Sequence, residues 1–245
     1  MGDDRDIVYI LKNDIKSDEL RYSLRSVCEN FPYRKIVFVG GCPKDITPDL
    51  YIKHTQTGDS KWQRAVSSMR RAFIDDRISE DFFLFNDDFF ILKPIDTSNF
   101  INYTNGTMNK RIMELEKNNR HSSYSNNLKS TQYFLRTHGY DTMSFALHIP
   151  MLVNKYNAME MMNTYPDMPM FRCLYGNIYN VPYIHHQDVK VFSNEKLPKF
   201  EDYLSTSDES FQNGIVGEYI KDKFLNPCRY ECYRDDPEPH VDEEE

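Results

Sequence analysis

The sequence predicts an α/β protein in which helices flank a mixed, largely parallel, Rossmann-like sheet. In the first third of the chain, short apolar runs alternate with stretches of helical periodicity, which is the pattern of βαβ units. Of the 245 residues, 40% are hydrophobic and 14% aromatic, so the chain can bury a sizeable core. We therefore expect one domain over residues 1–234 and a disordered acidic tail over residues 235–245.

The first predicted strand and helix are the clearest elements. Ile7–Leu11 is an uninterrupted apolar run of the kind found in buried strands. The helix that begins near Ser17 carries an apolar stripe at helical spacing, which predicts the face that packs on the sheet. This stripe consists of Leu20, Leu24, Val27 and Phe31.

The next elements lead to the predicted centre of the sheet. Residues 35–40 are predicted to form a second strand, and residues 50–55 a third. A second helix is predicted from Trp62 to Phe73, where apolar residues recur at helical spacing. It precedes Phe82–Phe85, which is apolar on both sides and therefore typical of a central strand.

The remainder of the chain is less regular. Residues 97–132 are polar and are predicted to form an insertion or mobile flap. Residues 141–149 are predicted to form another strand, with Pro150 in the first turn of a helix. Residues 180–192 are predicted to be extended.

Composition and charge exclude several classes of function. The formal net charge is −8, so a nucleic-acid site built from clustered Lys and Arg is not expected. No run approaches the roughly 18 apolar residues of a membrane span, and the first residues lack the apolar core of a signal peptide. We therefore expect a cytoplasmic protein. The five cysteines are scattered and odd in number, which favours reduced thiols.

The most informative polar residues are Asn86, Asp87 and Asp88, here called the acidic triplet, which directly follow the predicted central strand. Open α/β sheets bind ligands beyond the carboxyl ends of their strands, so position and chemistry agree. In an extended segment Asn86 and Asp88 would lie on one side, where their oxygens could hold Mg²⁺ or Mn²⁺ and thereby a diphosphate. The alternative is a turn in which an Asp caps a backbone amide.

Four later residues are candidates for the same site. His148, at a predicted strand end, has the chemistry of a general base or of a phosphate ligand. His186 and Asp188 could complete a metal shell with the two aspartates of the acidic triplet. Arg172 could neutralise a transferred phosphate through its planar guanidinium group. For each residue the alternative is a purely structural role.

The order of four motifs resembles that of the Stealth family of sugar-phosphate transferases. The most specific pieces are Arg-Tyr-Ser-Leu-Arg-Ser and Asn-Asp-Asp, and the resemblance spans roughly residues 6–190. The usual Tyr-Thr-Trp-Val continuation of the first motif is here Tyr-Ile-Leu-Lys. Of the conserved regions that define the family, the fourth is not recognisable in this sequence. The four motifs are Asp6–Tyr9, Glu19–Ser26, Phe85–Asp88 and His148–Pro150.

This resemblance implies a glycosyltransferase-A-type fold, a nucleotide-sugar donor, and a glycan or polysaccharide acceptor. It implies donor-binding roles for Asp6, Arg21, Arg25 and Asn86. It also implies that Asp88 and its neighbours lie at the metal and diphosphate, and that His148 and Arg172 lie at the transferred group.

Several functions remain open from the sequence alone. A Stealth-like enzyme would transfer a sugar-1-phosphate, whereas an ordinary glycosyltransferase would transfer the sugar and release a nucleoside diphosphate. From another class, a metal-dependent phosphodiesterase or nuclease would use similar acids, although such enzymes bring more acids and histidines around two metals. The last alternative is a binding module in which the acids are a degenerate site.

Overall fold

A five-stranded sheet forms the centre of the computed structural model, which describes residues 3–192 and 202–232. In spatial order its strands are β3 (Leu50–Lys53), β2 (Ile36–Gly40), β1 (Asp6–Leu11), β4 (Asp81–Phe85) and β7 (Met151–Asn154). The first four are parallel, and β7 runs antiparallel to β4. The predicted mixed α/β sheet is therefore confirmed.

Helices cover both faces of this sheet. The helices on this sheet are α1 (Ser17–Asn30), α2 (Lys61–Phe73), α3 (Met108–Lys117), α4 (Ser123–Thr137), α5 (Lys155–Thr164) and α6 (Phe171–Ile178). Two more helices, α7 (Asp208–Asn213) and α8 (Ile215–Lys223), belong to a separate apolar cluster that includes Phe90 and Leu204. On β4, Phe82 and Leu84 pack into the cluster that contains residues of α2 to α6, and Phe83 packs into the cluster that contains α1. The predicted central strand is thus buried on both faces, and the predicted stripe of α1 is buried with it.

Two smaller sheets lie beside the main one. In the first, β10 (Tyr203–Thr206) lies between β5 (Phe89–Ile91) and β9 (Lys190–Val191). In the second, β6 (Asn102–Thr104) pairs with β8 (Tyr183–His185). Both β8 and β9 fall within the predicted extended segment 180–192.

The polar segment 97–132 is folded and does not form a loose flap. It contains β6, α3 and the start of α4, and its buried Met108, Ile112 and Leu128 belong to the main core cluster. Burying side chains of this size contributes about 1.5–3 kcal/mol each. The polar residues that suggested a flap are the solvent faces of two helices.

The strand predicted over residues 141–149 is absent, and β7 begins only after Pro150. The preceding segment takes an irregular path in which side chains satisfy part of its backbone and residues 105–108 satisfy another part through an isolated antiparallel bridge. Asn177 exchanges two hydrogen bonds with the backbone of Met143, both at 2.8 Å, and Arg172 donates to two carbonyl oxygens further along. The helix predicted at Pro150 begins instead at Lys155.

Within residues 3–192 and 202–232, no helix is long and apolar enough to cross a membrane. The five cysteines are free thiols, as expected. The predicted acidic tail lies outside the described residues.

Candidate active site

The acidic triplet forms a tight turn between β4 and β5. The turn is closed by the amide of Phe89, which donates to the carbonyl oxygen of Asn86 at 3.4 Å. The triplet is therefore not the extended segment that the sequence suggested, and the side chains of Asn86 and Asp88 are not paired on one side of a strand. Since β1 is flanked by β2 on one side and β4 on the other, this turn lies at the topological switch point of the sheet.

Asp88 is held by two side chains from the neighbouring small sheet. Phe89 on β5 is opposite Ser205 on β10, and Ser205 is opposite Lys190 on β9, so one row of this sheet leads from the turn to Lys190. Asp88 Oδ2 accepts from Lys190 Nζ at 2.7 Å and from Ser205 Oγ at 2.9 Å. The side chains of Asp88 and Lys190 are 12% and 18% exposed, so this ion pair is largely shielded from water.

Two further carboxyl groups, Asp87 within the turn and Glu19 on α1, have raised pKa values. Burial, together with the neighbouring charge of Asp88, raises the pKa of Asp87 to about 6. Burial also raises the pKa of Glu19 to about 7, with the charges of Asp87 and Asp88 acting in the same direction against a hydrogen bond from Thr206. Thr206 Oγ1 donates to Glu19 Oε1 at 2.8 Å. These carboxyl groups therefore titrate close to neutral pH.

His148 is paired with Asp188. Its Nδ1 lies 3.0 Å from both carboxylate oxygens of Asp188, and its backbone amide donates to Oδ1 at 3.0 Å. Burial raises the pKa of Asp188, but the hydrogen bonds and charge of His148 outweigh it, so that the pKa is lowered. An ionised Asp188 makes Nδ1 the donor, which leaves the lone pair of the imidazole on Nε2. This is the arrangement of an oriented general base.

Arg172 acts on the backbone that carries His148. Its Nη1 donates to the carbonyl oxygen of Leu147 at 3.1 Å and to that of Ile149 at 2.5 Å, one on each side of His148. Its Nη2 donates to Leu84 on β4 at 3.4 Å. Burial lowers the pKa of Arg172 to about 10, although the charges of Asp88 and Asp188 oppose this shift. As it lies, Arg172 positions the backbone around His148, and its predicted role as a phosphate ligand stays a prediction.

Phe89 connects these groups in space. The Arg172 guanidinium carbon lies 5.3 Å from the centroid of the Phe89 ring, and the His148 ring centroid lies 6.5 Å from it. Phe89 directly follows Asp88 in the chain. The structure thus brings together Asp88, His148, Arg172 and Asp188, four of the residues named from the sequence, at the carboxyl end of the central strands.

Asp6 does not join this site. It is fully buried at the start of β1, opposite Phe82, and so lies at the other end of the sheet, at least about 10 Å from the turn. Its carboxylate accepts two hydrogen bonds from Arg34 at 2.8 Å and one from the amide of Ser79 at 2.9 Å. This contradicts the donor-binding role implied for Asp6 and assigns it to joining elements at the amino end of the sheet.

Arg21 and Arg25 also lie in a structural network. Arg25 donates to Glu231 through Nε and Nη2, both at 2.7 Å, and to the carbonyl oxygen of Phe224 at 2.9 Å. Arg21 donates to Glu231 at 2.6 Å and pairs with Asp45. These arginines therefore fasten the C-terminal segment to α1, and protein carboxylates engage their guanidinium groups. The donor-binding role implied for them stays a prediction.

His186 contacts its neighbour Gln187 and strand β6. Its Nδ1 lies 2.6 Å from the carbonyl oxygen of Gln187, and its ring packs edge-on against Tyr103 with centroids 5.3 Å apart. Its backbone amide donates to Thr104 on β6 at 2.9 Å. The observed contacts of His186 are those of a residue that stabilises the β6–β8 pair.

The residues predicted to bind Mg²⁺ or Mn²⁺ do not form a metal site as they lie. In the part of the chain that the structure describes, no group of three or more His, Cys, Asp or Glu side chains is arranged to hold a metal ion. Asp88 accepts from an ammonium and a hydroxyl group, and Asp188 accepts from His148. The predicted metal shell thus does not fit this arrangement, in which Lys190 supplies the positive charge beside Asp88.

Sequence reasoning missed Lys190, Ser205 and Glu19. Lys190 follows Asp188 by two residues, a spacing that places side chains on one side of an extended segment, so this signal was present. Glu19 was visible only as an acid in the first turn of a helix, where carboxylates commonly complement the helix dipole. Nothing local in the sequence marks Ser205, because its role depends on pairing across the small sheet.

No family model matches the chain, and comparison with curated proteins gives no match. Among solved structures, the apo form of the glycosyltransferase GlyE from Streptococcus pneumoniae TIGR4 matches with 12% identity and a TM-score of 0.45. This match covers 91% of the present chain but only 61% of that chain. An active-site mutant of LgtC matches with 10% identity and a TM-score of 0.46, covering 89% and 94% of the two chains. At these TM-scores the likeness carries no argument about activity, which must be argued from the site itself.

Proposed function

We propose that this protein is a nucleotide-sugar-dependent transferase that moves a sugar or sugar-1-phosphate to a hydroxyl group of a glycan or similar acceptor. One observation carries the proposal. A His148–Asp188 pair and an Asp88–Lys190 pair both lie next to Phe89, at the switch point of an open α/β sheet. The motif resemblance to Stealth enzymes points to the same donor class.

In the proposed reaction His148 is the general base. Its Nε2 accepts the proton of the acceptor hydroxyl as the acceptor oxygen attacks the donor, and Asp188 stabilises the imidazolium that forms. Arg172 keeps the His148 segment in place through the carbonyl oxygens of Leu147 and Ile149. The donor lies over the turn at the end of β4, where Asn86 is half-buried at the first position.

The same base serves two forms of the reaction, which differ in the donor atom that the acceptor attacks. In sugar-phosphate transfer, a bond forms between the acceptor oxygen and the sugar-linked phosphorus, the bridging phosphorus–oxygen bond breaks, and a nucleoside monophosphate leaves. In glycosyl transfer, the acceptor attacks the anomeric carbon and a nucleoside diphosphate leaves. The Stealth resemblance favours the first form. The second is favoured by one observation, since Arg172, the candidate for stabilising a phosphoryl group, donates to backbone carbonyls.

Metal-dependent hydrolysis of phosphodiesters is less well supported. Two-metal enzymes hold their ions with several acids and histidines, and the described residues contain no such group. A non-catalytic binding module does not require an oriented His–Asp pair, whereas a transferase uses one as a general base. A divalent cation nevertheless belongs in the assay, because the sequence predicted Mg²⁺ or Mn²⁺.

The experiment that tests the proposal is a screen of nucleotide sugars followed by product analysis. Donors are first selected by thermal shift, because a ligand present at about 100 times its dissociation constant stabilises a protein by about 2.7 kcal/mol. The selected donors are then incubated with protein and a mixture of oligosaccharides, and the nucleotides released are separated by chromatography. Monophosphate release supports sugar-phosphate transfer, and diphosphate release supports glycosyl transfer. If no donor stabilises the protein and no nucleotide is released, the proposed function is wrong.

A further inference from the structure

We propose that Lys190 binds the diphosphate of the donor, with Asp88 as its anchor, and that this binding needs no divalent cation. The proposal rests on the proposed function and names the group that recognises the donor at the same site. It gives Asp88 a different task from that of a metal ligand, namely to hold an ammonium group.

The framework around Lys190 is built to hold its ammonium at the turn. Lys190 is the first residue of β9, and the register through Ser205 to Phe89 fixes it beside the residue that precedes β5. Asp88 accepts from both Lys190 and Ser205 on the same carboxylate oxygen. Two strands and the turn before β5 therefore contribute to one ion pair, which lies where open sheets bind their ligands.

Lys190 retains hydrogen-bonding capacity for a ligand. An ammonium group has three N–H donors, and in residues 3–192 and 202–232 the hydrogen bond to Asp88 is the one that Lys190 makes. Its side chain is 18% exposed, so it is shielded from bulk water but still accessible at the turn. By contrast, the donors of Arg172 point at backbone carbonyls in the interior.

The position of Lys190 also disfavours the binding of a divalent cation to Asp88. A metal ligated by Asp88 would have to displace an ammonium that lies 2.7 Å from the carboxylate oxygen, or bind next to it against charge repulsion. Both options weaken metal binding. A lysine on a flexible stem, in contrast, acts as a point charge that phosphate groups recognise well.

The test measures binding of uridine diphosphate, guanosine diphosphate and inorganic pyrophosphate by isothermal titration calorimetry, with EDTA present throughout and then with Mg²⁺ or Mn²⁺ in excess. Wild-type protein should bind at least one of these probes in EDTA, and excess metal should change its dissociation constant less than about threefold. The Lys190→Met variant should bind about 10- to 100-fold more weakly, as expected when a hydrogen bond to a charged group is lost. The Lys190→Arg variant should retain most of the affinity.

Matched variants separate binding from folding. Lys190→Met leaves Asp88 without its counter-charge, which could destabilise the fold. The double variant Asp88→Asn with Lys190→Met removes both charges. It should fold and still fail to bind the probes. Lys93→Met is the control, because Lys93 forms a comparable but exposed ion pair with Asp202 at 3.5 Å. It should bind as the wild type does.

Two results would overturn the proposal. The first is that the probes bind only with divalent cation. The second is that the double variant binds as tightly as the wild type. In either case the proposed function survives if nucleotide release from a sugar donor is observed in the presence of the cation or with the wild type. If instead the wild type binds no probe with or without metal, and turns over no donor, the proposed function fails and the role of Lys190 falls with it.

Discussion

Replacement of Arg172 by methionine distinguishes the two roles that have been considered for this residue. The structure gives its guanidinium two good hydrogen bonds to carbonyl oxygens, at 3.1 and 2.5 Å, and a weak one at 3.4 Å. Hydrogen bonds to charged groups contribute about 1.5–3 kcal/mol each. Because burial of the guanidinium offsets part of this gain, we expect a net loss of about 2–4 kcal/mol in the free energy of unfolding.

That loss can be measured directly. For a protein of this size, 1 kcal/mol corresponds to roughly 2–4 °C, so the Arg172→Met variant should melt about 5–15 °C lower. Its kcat should fall at least tenfold at a temperature where it is folded, because the His148 segment is no longer held, while donor KM should change little. Arg136→Met, which removes an exposed arginine from α4, is the control and should melt as the wild type does.

Two results would refute this reasoning. A melting temperature within about 2 °C of wild type would mean that Arg172 does not hold the backbone. A donor KM that rises tenfold or more with unchanged kcat would mean that Arg172 contacts the donor, as the sequence first suggested.

Two further predictions concern stability. Glu231→Gln should lower the free energy of unfolding by about 2–4 kcal/mol in urea titrations, because it leaves the buried Arg25 without its carboxylate partner, and an unchanged midpoint would contradict this. The pKa of Glu19 is about 7 in the folded state and has an ordinary value of 4.5. Between pH 4.5 and pH 7 the folded state therefore binds a proton that the unfolded state has lost, and the folded state loses this stabilisation as the pH rises through that range. Glu19→Gln should therefore raise the free energy of unfolding by about 1–2 kcal/mol at pH 8 and change it little at pH 5. The same gain at both pH values would mean that the charge of Glu19 is not the cause.

Much of the fold could be predicted because burial imposes a period on the sequence. Burial on one face explains the apolar stripe of α1, and burial on both faces explains the apolar run of β4. Both elements occur as predicted. The segment 97–132 was misjudged because its polar residues dominate, although Met108, Ile112 and Leu115 recur at helical spacing within it. Residues 141–149 have the composition of a strand, but Arg172 and Asn177 satisfy their backbone, and no local pattern records a long-range contact of that kind.

The candidate site was predictable in its location and less so in its pairings. Parallel strands bring their carboxyl ends to one edge, and this rule correctly places Asp88 there. His148 lies at the same edge for a different reason, because it precedes β7, which runs antiparallel to β4. Applied to Asp6, the same rule would have excluded it, because Asp6 begins its strand and must lie at the opposite edge. The partner of Asp88 is 102 residues away along the chain, and this pairing follows from the register of a small sheet that periodicity does not encode.

The proposed nucleotide-sugar transfer depends on the His148–Asp188 pair acting as its base. The most direct measurement is nucleotide release in the presence of acceptor, compared between wild type, His148→Ala and Asp188→Asn, with donor dissociation constants measured for all three. We expect turnover to fall by about 10² or more for His148→Ala, and somewhat less for Asp188→Asn, while donor binding stays within a few fold of wild type. If both variants release nucleotide at the wild-type rate, His148 is not the base, and the account of this site is wrong.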